Sequence, residues 1–280
     1  MRKPVLLFTC ATLALSAAGA LLRRAELKTA LEAETGLAVF VPATGLLIGL
    51  SVLAALAFFL LARFAPLEGT PEQYGRAFHP ATFLPLAAAA LSLLATLAGC
   101  YFCLCRWRDE GCVLCAILAL MGGLSAAGWF SLNLDALRGK RGGLLAGALQ
   151  VLFVCFFLIV YYKEYAPEPA LVKTVYPFLA LCAAVLALYE LTGFTVGKTA
   201  PRKLLFLSGL SVYLITVAVV GLAEVEYQLF LGGVALELLI SAILLLQPRP
   251  EPAVKPEDGA AEPVPPAPAP PEPEDPPKQA

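Results

Sequence analysis

Glu237 is the residue whose position most demands a chemical account. It stands near the middle of the apolar run 228–247, between Leu231-Gly232-Gly233-Val234-Ala235-Leu236 and Leu238-Leu239-Ile240. It is the only charged residue placed at mid-depth of any such run. A carboxylate at the centre of a bilayer costs roughly 2.5–3.5 kcal/mol on insertion scales, and such groups face a bundle interior or a wet cavity. At helical spacing its neighbours are Gly233, Val234, Ile240 and Ser241, so Gly233, Glu237 and Ser241 make a small, polar stripe that points inward. Two chemistries fit. One is a proton- or cation-linked group in a transport pathway. The other is a neutral carboxyl donating a hydrogen bond to a neighbouring helix, since burial disfavours the charged form.

Other spans offer partners. Gln150, and the hydroxyls of Ser208 and Ser211, could line a cavity with Glu237 and Ser241. Small or polar residues also share a sector at Ser92, Thr96, Gly99 and Cys103; at Gly143, Gly147 and Gln150; and at Pro42, Gly45 and Gly49. The leading expectation for these faces is helix packing, because small side chains let backbones approach where lipid supplies no hydrophobic drive. A polar cavity is the alternative.

The second cluster is cysteine. Cys100, Cys103, Cys105, Cys112 and Cys115 fall in one stretch, CYFCLCRWRDEGCVLC. Two C-x-x-C pairs, Cys100/Cys103 and Cys112/Cys115, could hold a tetrahedral metal. Their spacer is short, no His accompanies them, and they sit on helix ends rather than glycine-containing knuckles. Inert packing is the leading expectation, because buried cysteine behaves as a small hydrophobe. A disulfide and metal or redox work are the alternatives. His79 is the single histidine and precedes Pro80; it reads as a loop residue, since catalysis needs a positioned partner. Asn133 and Asp135 read as local backbone partners. Metalloprotease, nucleotide-phosphate and dinucleotide motifs are absent. Two G-x-S tripeptides end in Ser125 and Ser211, but no span holds a His to activate a serine. No cofactor is expected.

The elements that must carry these residues are membrane helices. The chain has 280 residues, 59% hydrophobic and 15% charged, and soluble domains carry about 25% charged residues. A hydrocarbon core of about 30 Å needs roughly 20 apolar residues in helical form. Eight stretches qualify: about 4–22, 37–62, 83–105, 112–132, 144–162, 174–191, 204–223 and 228–247. The expected fold is all-α, a bundle of eight spans over 1–247. The first span also has the shape of a cleavable signal peptide, but its apolar run continues to Leu22 and ends at Arg23-Arg24, so a retained helix is expected. The segment 23–35 can continue as a helical turn or two, and 63–82, with Pro66, Gly69, Pro71 and Pro80, reads as irregular.

Lys and Arg in the short loops set direction. With the N-terminus inside, the inside segments hold eleven and the outside segments seven. Both termini are therefore expected in the cytoplasm, and Ala- and Leu-rich spans suggest a bacterial cytoplasmic membrane. The cysteine hairpin then faces outward, where a disulfide is allowed.

Residues 248–280 hold 13 prolines, seven acids and three bases, a net of −4. Such a segment cannot bury enough apolar surface to offset chain entropy, and a disordered tail with polyproline II character is expected. A protein could dock on it, but a solvated tail needs no partner. The remaining chain carries +3, too little to suggest nucleic acid. The expected contacts are lipid and, through the tail, a protein partner. No substrate can be read. A small-molecule or ion permease with Glu237 on its path is favoured. A non-catalytic membrane partner or regulatory subunit is the alternative, and an integral membrane enzyme the third.

Overall fold

The computed structural model describes residues 3–30, 41–67, 74–80, 83–165 and 171–247, the side chains of 171–173 excepted. The Pro-rich segment 248–280, and residues 68–73 and 81–82 of the expected irregular connection, lie outside the described residues. Nine α-helices are described: α1 (Lys3–Thr29), α2 (Pro42–Phe64), α3 (Tyr74–Ala77), α4 (Phe83–Glu110), α5 (Val113–Leu137), α6 (Leu144–Tyr165), α7 (Leu171–Gly193), α8 (Pro201–Val219) and α9 (Val225–Leu246). All but α3 include a window long and apolar enough to cross a membrane.

Each of the eight expected spans corresponds to one long helix. Several helices outrun their apolar stretch: α1 extends to Thr29 and α4 to Glu110. The backbone needs internal pairing inside lipid but gains nothing by unwinding at the headgroup boundary. Proline opens α2 and α8, where its missing N–H costs no intrahelical bond. The α4–α5 hinge turns at Gly111, whose φ of +69° suits glycine. Within the stretch expected to be irregular, α3 is a single turn that buries Tyr74.

Six helices close into a ring. α4 packs on α5, α5 on α6, α6 on α7, α7 on α8, α8 on α9, and α9 returns to α4. α1 and α2 pack on each other and both lie against α8. Protein buries 61% of the apolar window in α8 and α9 but only 22% in α2, which places α8 and α9 at the centre. Large apolar side chains cover the perimeter, among them Leu53, Phe59, Leu94, Leu145, Leu152 and Ile159. Exposed apolar area on this scale has no place in water and marks a lipid-facing surface.

Small residues set the closest approaches. Ser92 Oγ donates to the Gly233 carbonyl at 2.8 Å, and Thr96 Oγ1 donates to the Ser92 carbonyl at 3.1 Å. A Cβ on Gly99 would lie 2.8 Å from the Phe230 ring, and one on Gly147 would lie 2.7 Å from Thr192 Oγ1. Ser92 and Gly99 of α4 and Gly147 of α6 therefore pack helices, whereas Gly143 is exposed ahead of α6. The Gly45/Gly49 face does not pack helices. Both glycines are exposed, and a Cβ on Gly49 would meet nothing within 4 Å. The inward face of α2 is instead Leu47, Ala54, Phe58 and Ala62, with Phe58 seated where Gly209 leaves room.

Candidate functional site

Glu237 sits about halfway along α9 and is 6% exposed. Gln150 of α6 lies beside it, close enough to act on its carboxyl. Among the described residues, Gln150 Nε2 and Glu237 Oε1 are both buried with no partner at hydrogen-bonding distance. Ser241 is buried one turn along the same helix. Ser208 and Ser211 are fully buried on α8, and among the described residues their hydroxyls have no hydrogen-bond partner, so no hydrogen bond joins them to Glu237. Of the five polar candidates read from the sequence, Gln150 and Glu237 are brought side by side, with Ser241 next along the helix. A buried polar group with no partner costs about 1–3 kcal/mol, and more when charged.

Towards the α4–α5 hinge, α6 and α9 are filled by aromatic rings. Phe153 and Phe230 stand 5.1 Å apart, Phe157 and Phe230 5.8 Å, and Phe157 and Tyr227 5.1 Å. Tyr161 stacks on Tyr165 at 4.6 Å. Gln150 is one helical turn from Phe153, and Glu237 two turns from Phe230. The rings thus separate the buried acid from a polar cluster at that end of the bundle.

That cluster is centred on Arg106 of α4. Its Nη2 donates to Glu164 Oε1 at 2.6 Å, its Nη1 to Glu226 Oε1 at 3.1 Å and its Nε to Glu110 Oε2 at 3.0 Å. Tyr227 donates to the second oxygen of Glu164, and Tyr165 donates to Glu224. One guanidinium fork thereby ties α4, α6 and α9 together, a geometry that Arg supports and Lys does not. Taken singly, these charges read as loop residues at span ends; only the fold reveals that they share one partner.

A second polar locus was equally hidden. Arg23 and Glu26, three residues apart on α1, form a fully buried pair at 2.6 Å, and the Arg23 guanidinium lies 5.0 Å over the Tyr176 ring. Ser51 and Tyr213 hydroxyls pair at 3.0 Å nearby. A cavity of about 440 Å³, lined by Glu26, Thr44, Ser51 and Tyr176 with apolar neighbours, opens beside them.

The four candidate cysteines do not assemble. Cys100 and Cys103 are buried in α4, with Cys100 Sγ seated against Gly122. Cys115, buried, and Cys112, half-buried, touch each other at 2.9 Å between sulfurs. Among the described residues no three His, Cys, Asp or Glu side chains are placed to share a metal ion. His79 Nδ1 pairs with the Ala136 carbonyl at 2.9 Å, and Asn133 Nδ2 donates to the Trp129 carbonyl at 2.9 Å, so both serve the backbone.

Fold and surface define the class: a polytopic α-helical integral membrane protein, with eight helices long and apolar enough to span the membrane among the described residues. No protein-family model, curated protein or solved structure matches the chain.

Proposed function

We propose that this is a permease-like protein for a small molecule or ion, with Glu237 as the titrating or cation-binding group on its path. The observation that carries this reading is the unpartnered pair Gln150 Nε2 and Glu237 Oε1 inside a ring of six helices. Polar groups buried in a membrane bundle normally find partners. Two neighbours that leave bonding capacity open are suited to a transient guest, a proton, a cation or water. The aromatic rings between this pair and the Arg106 cluster correspond to a closed state.

The same rings favour one other reading, the non-catalytic partner subunit, because tight packing beside Glu237 suits a structural core. Residues 248–280 would then supply the docking segment. The excess of Lys and Arg in loops on one face supports cytoplasmic termini in a bacterial cytoplasmic membrane.

The test is ion flux through the full chain reconstituted in vesicles with a trapped pH dye, driven by a potassium diffusion potential. Flux above that of empty vesicles, lost in Glu237→Gln at equal protein incorporation, supports the reading. Equal flux in both proteins, or none above empty vesicles, removes it.

A further inference from the structure

We propose that Cys112 and Cys115 form a reversible thiol–disulfide exchange site at the aqueous end of α5. The inference stands apart from Glu237 and survives the failure of the transport reading.

Cys112 is the N-cap of α5 and Cys115 lies in its first turn. The Cys115 N–H donates to the Cys112 carbonyl at 3.0 Å, which folds the C-x-x-C segment into one turn. That turn brings the two sulfurs to 2.9 Å while both remain thiols. Contact this close leaves a small movement to a covalent bridge. The positive φ at Gly111 ends α4 and presents Cys112 at the hinge. Charged residues crowd the preceding turn, with Arg108 paired to exposed Asp109, so the hinge meets water.

Burial is unequal. Cys112 is half-exposed and Cys115 is 1% exposed. An outside disulfide can therefore reach Cys112 alone, while Cys115 is held against it as the resolving thiol. Cys103 on α4 lies within electrostatic reach of Cys115 but, like Cys100, is buried, so an outside disulfide does not reach it.

The chemistry needs an external disulfide, R–S–S–R. Cys112 loses its proton and its thiolate attacks one sulfur, forming Cys112–S–S–R and releasing R–S⁻, which takes up a proton. Cys115 then loses its proton and attacks Cys112 Sγ, forming the Cys112–Cys115 bridge and releasing the second R–S⁻, which is protonated in turn. The two cysteines give up two electrons, and the external disulfide becomes two thiols. The reverse sequence reduces the bridge.

The test uses the full chain in detergent, equilibrated with oxidised and reduced glutathione in varied ratio, then alkylated and mapped by mass spectrometry. The expected result is a Cys112–Cys115 bridge that forms and reopens with the ratio. In Cys115→Ser, glutathione should be trapped at Cys112 at least about tenfold over the half-buried Cys105. Thiols that stay free at every ratio, a bridge that reduced glutathione never reopens, or equal trapping at Cys105 would each overturn the proposal. The titration of the unsubstituted chain decides the first two outcomes even if Cys115→Ser fails to fold.

Discussion

Arg106 Nη2 donates to Glu164 Oε1 at 2.6 Å, and this bond joins the ends of α4 and α6, two helices that α5 separates in the chain. The same guanidinium reaches Glu226 on α9, so one side chain fastens three members of the ring. Arg106→Ala should leave Glu164 and Glu226 partly buried without a cation. The Arg106 side chain is 24% exposed, which places the cost below that of a fully buried pair, on the order of 2–3 kcal/mol. Arg106→Lys should recover only part, since an ammonium cannot reproduce the fork. Unfolding in detergent measures both; a change under about 0.5 kcal/mol for Arg106→Ala would show that the cluster is ornamental to stability.

Glycines separate into two groups. A Cβ on Gly128 would lie 2.6 Å from the Ala146 carbonyl oxygen, a backbone atom that cannot swing away. Gly128→Ala should force α5 from α6 and cost about 1–3 kcal/mol. Gly49 faces open space on α2, so Gly49→Ala should be neutral or stabilise by about 0.5–1 kcal/mol through helix propensity. Thermal unfolding of the two variants checks the assignment, and equal effects would contradict it.

Arg23 and Glu26 are a buried ion pair in the first helix. Glu26→Ala should cost about 1–3 kcal/mol by removing the acceptor that Arg23 Nη1 bonds at 2.6 Å. Replacing both, Arg23→Met with Glu26→Leu, should cost less than Glu26→Ala, because the desolvation penalty of the pair is removed with it. The double variant unfolding as readily as Glu26→Ala would contradict this account.

Much of this architecture was legible in the sequence and some was not. Eight apolar runs gave the eight long helices, because a run of about 20 apolar residues has one stable form in lipid. Glu237 could be picked out because a lone acid at mid-span is costly wherever it points. Gln150 could be named as its companion but not placed beside it, since helix order around a ring follows packing rather than composition. Arg23, Arg106, Glu164 and Glu226 were missed as partners for the opposite reason. Charges at span ends are ordinary there, and nothing in a single sequence distinguishes a solvated one from one fastened across helices. The Gly45/Gly49 stripe has the spacing of a close-approach face, yet the bulkier Leu47, Ala54 and Phe58 turn inward because Phe58 fills the room over Gly209. The Cys112/Cys115 contact depends on where α5 begins, and helix starts are among the least legible features of a sequence.

Gln150 and Glu237 separate a working site from a structural bond by their joint replacement. If each is retained for a guest, then Gln150→Leu with Glu237→Leu removes two unpartnered polar groups and should stabilise the protein by about 1–2 kcal/mol while abolishing flux. A loss of similar size on unfolding would mean that the pair bonds the bundle together.

Infrared spectroscopy of the reconstituted chain reaches the central claim, that a guest from water gains access to Glu237. The protonated-carboxyl band of Glu237, recorded at a pH low enough to keep the group neutral, is identified as the difference between the unsubstituted chain and Glu237→Gln. On transfer of the vesicles from H2O to D2O, an acid on a transport path should shift that band as fast as the medium exchanges. A band still in its original place long after exchange is complete would mean that water does not reach Glu237, and the transport reading would fall.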